Sequence, residues 1–369
     1  MSRVTLGTIG WLMLAAGQAL RAEEPRPNVV VILADDLGWG DLSCHGGTTP
    51  TPSLDRLFQE GVELRTMLVT PLCSPTRASL LTGRHPARTG IGPFVINPDT
   101  SAHLKPEETT LAEAFKAAGY ATAGFGKWHL GNKPTPHEQG FDLFCGCAGA
   151  AVDYFNRHRQ RDDRLDWKLN GEPLEEQGYT TDLIRDRAVK YLESCRQPFF
   201  LYVPFTAVHN PQQAAETYLQ RVPKTITDPA QRTYAAMVIA LDDGVGGILQ
   251  ALQTRGLAEN TIVFFASDNG GTPTGNNKPL RGGKHTLYEG GVRSPSVMRW
   301  PARLEDGRQT QAMLTIEDVY PTLLSLASVT RPKGLPLDGR DFSDVLLKNA
   351  VSPRDTQYWF FLNCDSIRT

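Results

Sequence analysis

No lysine- or arginine-rich run stands out in this chain, and its 38 basic and 40 acidic side chains leave a formal charge of −2. That balance argues against a nucleic-acid binder. It does not exclude an anionic substrate, because a local cationic pocket needs only a few side chains. Internal repeats and low-complexity tracts are absent. Cysteine is sparse, at positions 44, 73, 145, 147, 195 and 364, and no Cys/His spacing fits a structural zinc site. A long apolar run is also missing: Val4 to Leu20 is mostly apolar but short for a membrane span, and no stop-transfer flank follows it. With Arg3 before it and Ala15, Ala16, Ala19 and Ala22 near its end, this stretch reads as a signal peptide over residues 1–22. Cleavage after Ala19 or after Ala22 both fit, and a retained anchor is the alternative. Export to a secreted or periplasmic location is expected, where some cysteines can pair.

What is present is enough for one large α/β domain, or one with a small appendage: 369 residues, 40% of them hydrophobic. Strand and helix patterns alternate, which predicts a mostly parallel central sheet sandwiched by helices. Asn28 to Ala34 (NVVVILA) is a continuous β-branched run, the mark of a strand covered on both faces. Thr51 to Glu60, Thr110 to Ala118, Thr180 to Cys195 and Arg232 to Arg255 read as helices. Ala121 to Phe125, Phe199 to Val203 and Thr261 to Ala266 read as further strands. Ligands of open α/β sheets bind beyond the carboxyl ends of the strands. Asp35-Asp36, Lys127 with His129, His209, and Asp268-Asn269 follow these four strands in turn, so four separate stretches bring polar side chains to one sheet edge.

Asp35, Asp36, Asp268 and Asn269 offer only oxygen, a donor set that suits Ca²⁺ or Mg²⁺ better than zinc or copper. If three carboxylates converge, a cation is needed to offset their repulsion. Each pair alone also fits turn or helix-cap residues. Asp242-Asp243, inside a helical pattern, is a structural pair by contrast. Pro71 to Gly83 (PLCSPTRASLLTG) is the sharpest signal. Pro75 suits a first helical turn, which places Cys73 at a helix N-terminus that favours an anion, with Arg77 one turn on. A buried or disulfide-bonded cysteine beside an ordinary helix start is the other reading.

Cys73-Ser74-Pro75-Thr76-Arg77 with Leu80-Leu81-Thr82-Gly83-Arg84 resembles the signature of the type I, formylglycine-dependent sulfatases of the alkaline phosphatase superfamily. Leu33 to Asp41, Thr51 to Leu57, Gly126 to Gly131, Ser267 to Gly270, Gly283-Lys284 and Glu289 to Gly291 resemble further blocks of that family. They appear in order from about residue 28 to about residue 345. The resemblance implies an arylsulfatase-like sulfuric ester hydrolase. Cys73 would be converted to Cα-formylglycine by a separate maturation enzyme. Asp35, Asp36, Asp268, Asn269 and residue 73 would hold a divalent cation, Ca²⁺ with Mg²⁺ as the alternative. Arg77 and His129 would orient the formylglycine hydrate. Lys127, Lys284 and His209 would contact the sulfate and the bridging oxygen, His209 also as proton donor. Sulfated carbohydrate is the expected substrate class, with aryl sulfates as assay substrates.

Asp153-Tyr154 is a further candidate for the pocket wall. The resemblance also implies a small C-terminal antiparallel sheet after a catalytic region over residues 23–350. Gln357 to Leu362 (QYWFFL) reads as its first strand within residues 351–369. With seven residues left, that subdomain reads as incomplete and the strand as one without a partner. Two other functions stay open. One is a phosphodiesterase or phosphonate hydrolase of the same superfamily, against which the single-metal ligand set and paired lysines speak. The other is an inactive binding protein for sulfated glycans.

Overall fold

β-Branched side chains in the Asn28–Ala34 run alternate between two apolar cores, and this explains why the run is continuous. Val30, Ile32 and Ala34 enter one core and Val29, Val31 and Leu33 the other, so this strand, β1, is buried along its whole length. The computed structural model describes residues 25–369 except 93, 98, 196, 197, 362 and 363. The expected leader at residues 1–22 lies outside the described residues.

The remaining strands are β2 (Val62–Leu68), β3 (Ala121–Lys127), β4 (Leu143–Cys147), β5 (Lys168–Leu169), β6 (Glu172–Pro173), β7 (Phe199–Pro204), β8 (Thr261–Ser267), β9 (Val297–Arg299), β10 (Gln309–Thr315), β11 (Gln357–Phe361) and β12 (Cys364–Arg368). Ten of them form one sheet in the order β10-β2-β9-β8-β1-β7-β3-β4-β5-β6. The stretch β8-β1-β7-β3-β4 is parallel throughout, and short antiparallel strands flank it on both sides. The mostly parallel sheet expected from the sequence is therefore observed. Helices Pro52–Gln59, Thr180–Ser194 and Pro229–Thr254 cover one face, and helices Cys73–Thr82, Leu111–Ala117 and Val319–Leu326 cover the other.

Several boundaries move for identifiable reasons. The Pro229–Thr254 helix begins before Arg232 because the Asp228 carboxylate caps the Gln231 N–H and Pro229 occupies the first turn. By length and hydropathy this helix would span a membrane, but 72% of its apolar window is buried, which marks it as a core helix. β3 runs on to Lys127 because Gly126, at φ +129°, can cross β7; a Cβ there would lie 1.9 Å from the Pro204 carbonyl oxygen. Asp242 is structural, as expected: its carboxylate accepts from the N–H groups of Ser53 and Leu54 at the start of the Pro52–Gln59 helix.

The expectation of an unpaired C-terminal strand is corrected. β11 pairs antiparallel with β12, from Gln357 opposite Arg368 to Phe361 opposite Cys364. Its inward residues Gln357, Trp359 and Phe361 are buried, and Tyr358 and Phe360 face outward. Trp359 donates its indole N–H to the Val69 carbonyl at 2.9 Å, which ties the hairpin to the segment leading into Cys73. The partner strand, CDSIR, lacks the alternating apolar pattern by which strands are recognised, which is why the sequence did not reveal it. Cys44, Cys73, Cys145 and Cys147 form no disulfide.

Candidate active site

β8, β1, β7 and β3 are neighbours whose carboxyl ends open on the same side, and each delivers part of one polar cluster. Asp35 and Asp36 leave β1, Asp268 and Asn269 leave β8, Lys127 closes β3 with His129 just after it, and His209 follows β7. Asp36 and His129 adopt left-handed backbone at φ 63° and 58°, an unusual conformation for non-glycine residues that clusters at functional sites. Cys73 begins the helix Cys73–Thr82, every residue of which is buried. Lys284 comes from the loop before the short helix Glu289–Val292. That loop is tied down by hydrogen bonds from the Lys284 N–H to the Gly271 carbonyl and from the His285 N–H to the Pro71 carbonyl, each 3.1 Å. Gly270 permits its approach, since a Cβ there would lie 1.7 Å from the Gly290 carbonyl oxygen.

Each carboxylate meets a cation. Lys127 Nζ lies 2.5 Å from Asp35 Oδ2, and Lys284 Nζ lies 2.6 Å from Asp36 Oδ1. Arg77 donates from Nε and Nη2 to Asp268 Oδ2 at 3.0 and 2.8 Å, and from Nη1 to the Lys127 carbonyl at 2.8 Å. His209 Nε2 stands 3.7 Å from Asp36 Oδ2, and Asn269 Nδ2 donates to Asp36 Oδ1 at 2.7 Å. Carboxylate oxygens of Asp35 and Asp268 and the sulfur of Cys73 lie within 4.8 Å of one another, as do ligand atoms of Asp35, Asp36 and His209. All ten expected site residues are thus brought into one cluster.

Burial pushes the Asp35 carboxyl up, but Lys127 and, after it, His209, Arg77 and Lys284 outweigh this and hold it well below the usual range. Asp268 goes the other way: burial and the neighbouring Asp35 charge raise it against Arg77 and Lys127. Burial raises the Cys73 thiol against Lys127 and Lys284, so the unmodified side chain is no activated thiolate. His129 is lowered by burial, Lys127 and Arg77, and is a neutral imidazole at neutral pH. His209 is lowered by burial and Lys127. Burial disfavours the Lys284 charge, but Asp36 overrides it and raises its pKa.

Three buried oxygens in this cluster, Asp35 Oδ1, Asp36 Oδ2 and Asn269 Oδ1, accept no hydrogen bond. Buried polar atoms are rarely left so, and three together are the donor set a hard divalent cation takes. The residues present therefore fit such an ion. Both ring nitrogens of His129 are also without a hydrogen-bond partner.

Tyr154, a candidate for the pocket wall, is buried next to the Asp35 and Asp36 charges, and its hydroxyl serves backbone carbonyls of the His209 turn. Asp41, which the sequence placed only within a family block, ties the Asp36 loop to its surroundings. It accepts from the Gly38 N–H at 2.7 Å, the Tyr234 hydroxyl at 2.6 Å and the Asn276 N–H at 2.9 Å. Asn276 and Tyr234 carry no local motif, so no sequence signal pointed to them.

A family model described as Sulfatase matches residues 27–329, and the chain belongs to the sulfatase family. Arylsulfatase J of Mus musculus is 34% identical over 353 residues, which cover 91% of this chain and 58% of that protein. N-acetylgalactosamine-6-sulfatase of Canis lupus familiaris is 34% identical over 387 residues, covering 95% of this chain and 72% of the relative. The chain thus spans under two thirds of the first relative's length. Among solved structures, that of Ps i-CgsB in complex with k-i-k-neocarrahexaose superposes with a TM-score of 0.88 at 31% identity, covering 93% of this chain and 82% of that one.

Proposed function

We propose that this protein hydrolyses sulfate esters of carbohydrates, with residue 73 acting as formylglycine and a single divalent cation bound beside it. The donor set carries this reading: three unpartnered buried oxygens, with the Cys73 sulfur within 4.8 Å of Asp35 and Asp268 oxygens. Asp35, Asp36, Asp268 and Asn269, with residue 73, would hold the cation, which we assign as Ca²⁺ with Mg²⁺ as the alternative; it supplies positive charge that promotes deprotonation of a bound hydroxyl. When present, formylglycine would supply, as its hydrate, an oxygen nucleophile for sulfur and a second hydroxyl whose deprotonation lets sulfate leave and the aldehyde re-form.

The remaining work falls to side chains of this chain. Lys127 and Lys284 hold the non-bridging sulfate oxygens and stabilise their charge in the transition state. Arg77, anchored by Asp268, and neutral His129 orient the group at position 73. His209 Nδ1 lies 2.7 Å from the Asn210 carbonyl, which can only accept, so Nδ1 carries a proton and Nε2 is the atom facing the site. Nε2, when protonated, gives its proton to the departing alcohol oxygen.

Cys73 is 1% exposed, so the maturation enzyme must reach it before the domain closes. Sulfated carbohydrate is the assigned substrate class because one relative is named for N-acetylgalactosamine 6-sulfate and the structural neighbour is in complex with an oligosaccharide. Export is inferred from Arg3 and the apolar stretch after it. We take residues 23–350 as the catalytic unit.

The test is co-expression with a formylglycine-generating enzyme, peptide mass spectrometry of the Cys73 peptide, and turnover of sulfated sugars and of paired aryl sulfate and phosphonate esters. The thiol should be replaced by aldehyde and sulfate should be preferred. Hydrolysis by protein whose Cys73 peptide is wholly thiol would overturn the mechanism, and faster phosphonate turnover would favour the phosphonate hydrolase.

A further inference from the structure

His209 sits in a turn that one phenol holds from beneath. After β7 the chain folds back so that the His209 N–H donates to the Thr206 carbonyl at 3.0 Å. The Tyr154 hydroxyl donates to that carbonyl at 2.6 Å and lies 3.0 Å from the His209 carbonyl, so it bridges both ends of the turn. On its other side the turn is laced to β1: the Val208 N–H donates to the Asp35 carbonyl at 2.7 Å, and the Asp35 N–H to the Ala207 carbonyl at 2.9 Å.

Tyr154 is itself fixed. Its N–H donates to Gln213 Oε1 at 2.8 Å, its carbonyl accepts from the Thr180 N–H and hydroxyl at 2.8 Å each, and its ring stacks on Tyr179 at 5.5 Å. Gln213 in turn donates to Asp153 Oδ2 at 2.6 Å. Tyr154 thus grips the segment from Thr206 to Gln213 at both ends, with His209 between them.

We infer that Tyr154 is a positioning residue for His209, setting where Nε2 meets the leaving-group oxygen; this rests on His209 being the proton donor. In that step the sulfur–oxygen bond to the alcohol breaks and its electron pair goes to the alcohol oxygen. The proton passes from Nε2 to that oxygen, the alcohol leaves neutral, and the imidazole regains its proton from water. A donor must lie within hydrogen-bond reach, and a shift of about 1 Å costs on the order of 100-fold. Alcohols that are poor leaving groups depend on that proton; 4-nitrophenolate does not.

The test uses matured enzyme, with kcat/KM measured on 4-nitrophenyl sulfate and phenyl sulfate and folding checked by Tm. Tyr154→Phe is expected to lower turnover of phenyl sulfate about 100-fold and of 4-nitrophenyl sulfate less than about tenfold. Tyr179→Phe removes a neighbouring buried hydroxyl that donates to the Gln213 carbonyl. It should shift Tm without changing the ratio between the substrates. Gln213→Met, which removes the acceptor for the Tyr154 N–H, should change the ratio in the same direction as Tyr154→Phe and is decisive if that variant does not fold. Equal losses on both substrates, or none, in Tyr154→Phe and Gln213→Met would overturn the inference. His209→Ala separates it from its premise: if that variant also leaves the ratio unchanged, the proton-donor role of His209 is what has failed.

Discussion

Replacing Arg77 with methionine should expose the Asp268 carboxylate as an uncompensated buried charge. Both side chains are wholly buried, and Arg77 makes two hydrogen bonds to Asp268 and a third to the Lys127 carbonyl. Methionine keeps the aliphatic stem and the helical preference, so the main loss is the charge and its bonds. Removing one partner of a buried pair costs about 3–5 kcal/mol. At roughly 2.1 cal/mol/K per residue, a 369-residue chain loses about 1.3 °C of Tm per kcal/mol, giving a drop of about 4–6 °C. The assay is calorimetry of the metal-free protein in chelator at pH 8.5, where Asp268 is ionised even though burial raises its carboxyl. Because that folded-state pKa lies above the unfolded one, the penalty should shrink toward pH 5.5, where Asp268 takes up a proton. Adding Asp268→Asn should recover about 2 kcal/mol relative to the sum of the single changes, since it removes the stranded charge. Additive single and double variants, or a penalty that does not grow with pH, would refute the reasoning.

Three further outcomes are expected. Exhaustive chelation should abolish turnover, and Ca²⁺ at about 100 times its Kd should restore it and add about 2.7 kcal/mol, or about 3–4 °C of Tm; full activity without metal would rule out the cation site. Burial, against hydrogen bonds from Tyr234, Asn276 and Gly38, raises the Asp41 carboxyl to about 6 from an ordinary value of 3.8. Its contribution to stability is therefore complete below about pH 4 and is lost as pH rises through 6. The stability difference between parent and Asp41→Asn should then move in favour of the variant by about 2.4 kcal/mol between pH 4 and 8, read as about 3 °C of Tm, and a flat difference would contradict this. Trp359→Ala should cost about 3–5 kcal/mol if the C-terminal hairpin is packed against Val69 as described, read as a Tm fall of about 4–6 °C; an unchanged Tm would show that the hairpin adds nothing.

Much of this protein was legible from sequence because its signals are local. The run Asn28–Ala34 could only be a strand covered on both faces, and the Cys73-x-Pro-x-Arg77 pattern could be read within one helical turn. Polar residues following four apolar runs marked the carboxyl edge of a sheet, and all ten expected site residues meet there. The sequence could not give the pairing of charges. Whether Asp35, Asp36 or Asp268 meets Lys127, Lys284 or Arg77 depends on strand order and on how closely glycines 126 and 270 let backbones approach. Those pairings set which carboxyl is lowered and which is raised. Tyr154 and Trp359 carry no motif, and their roles come from donating to carbonyls far along the chain. Local pattern fixes what an element is and where its chemistry sits; only packing brings distant donors and acceptors within 3 Å, because that distance is set by the whole sheet and not by any segment of it.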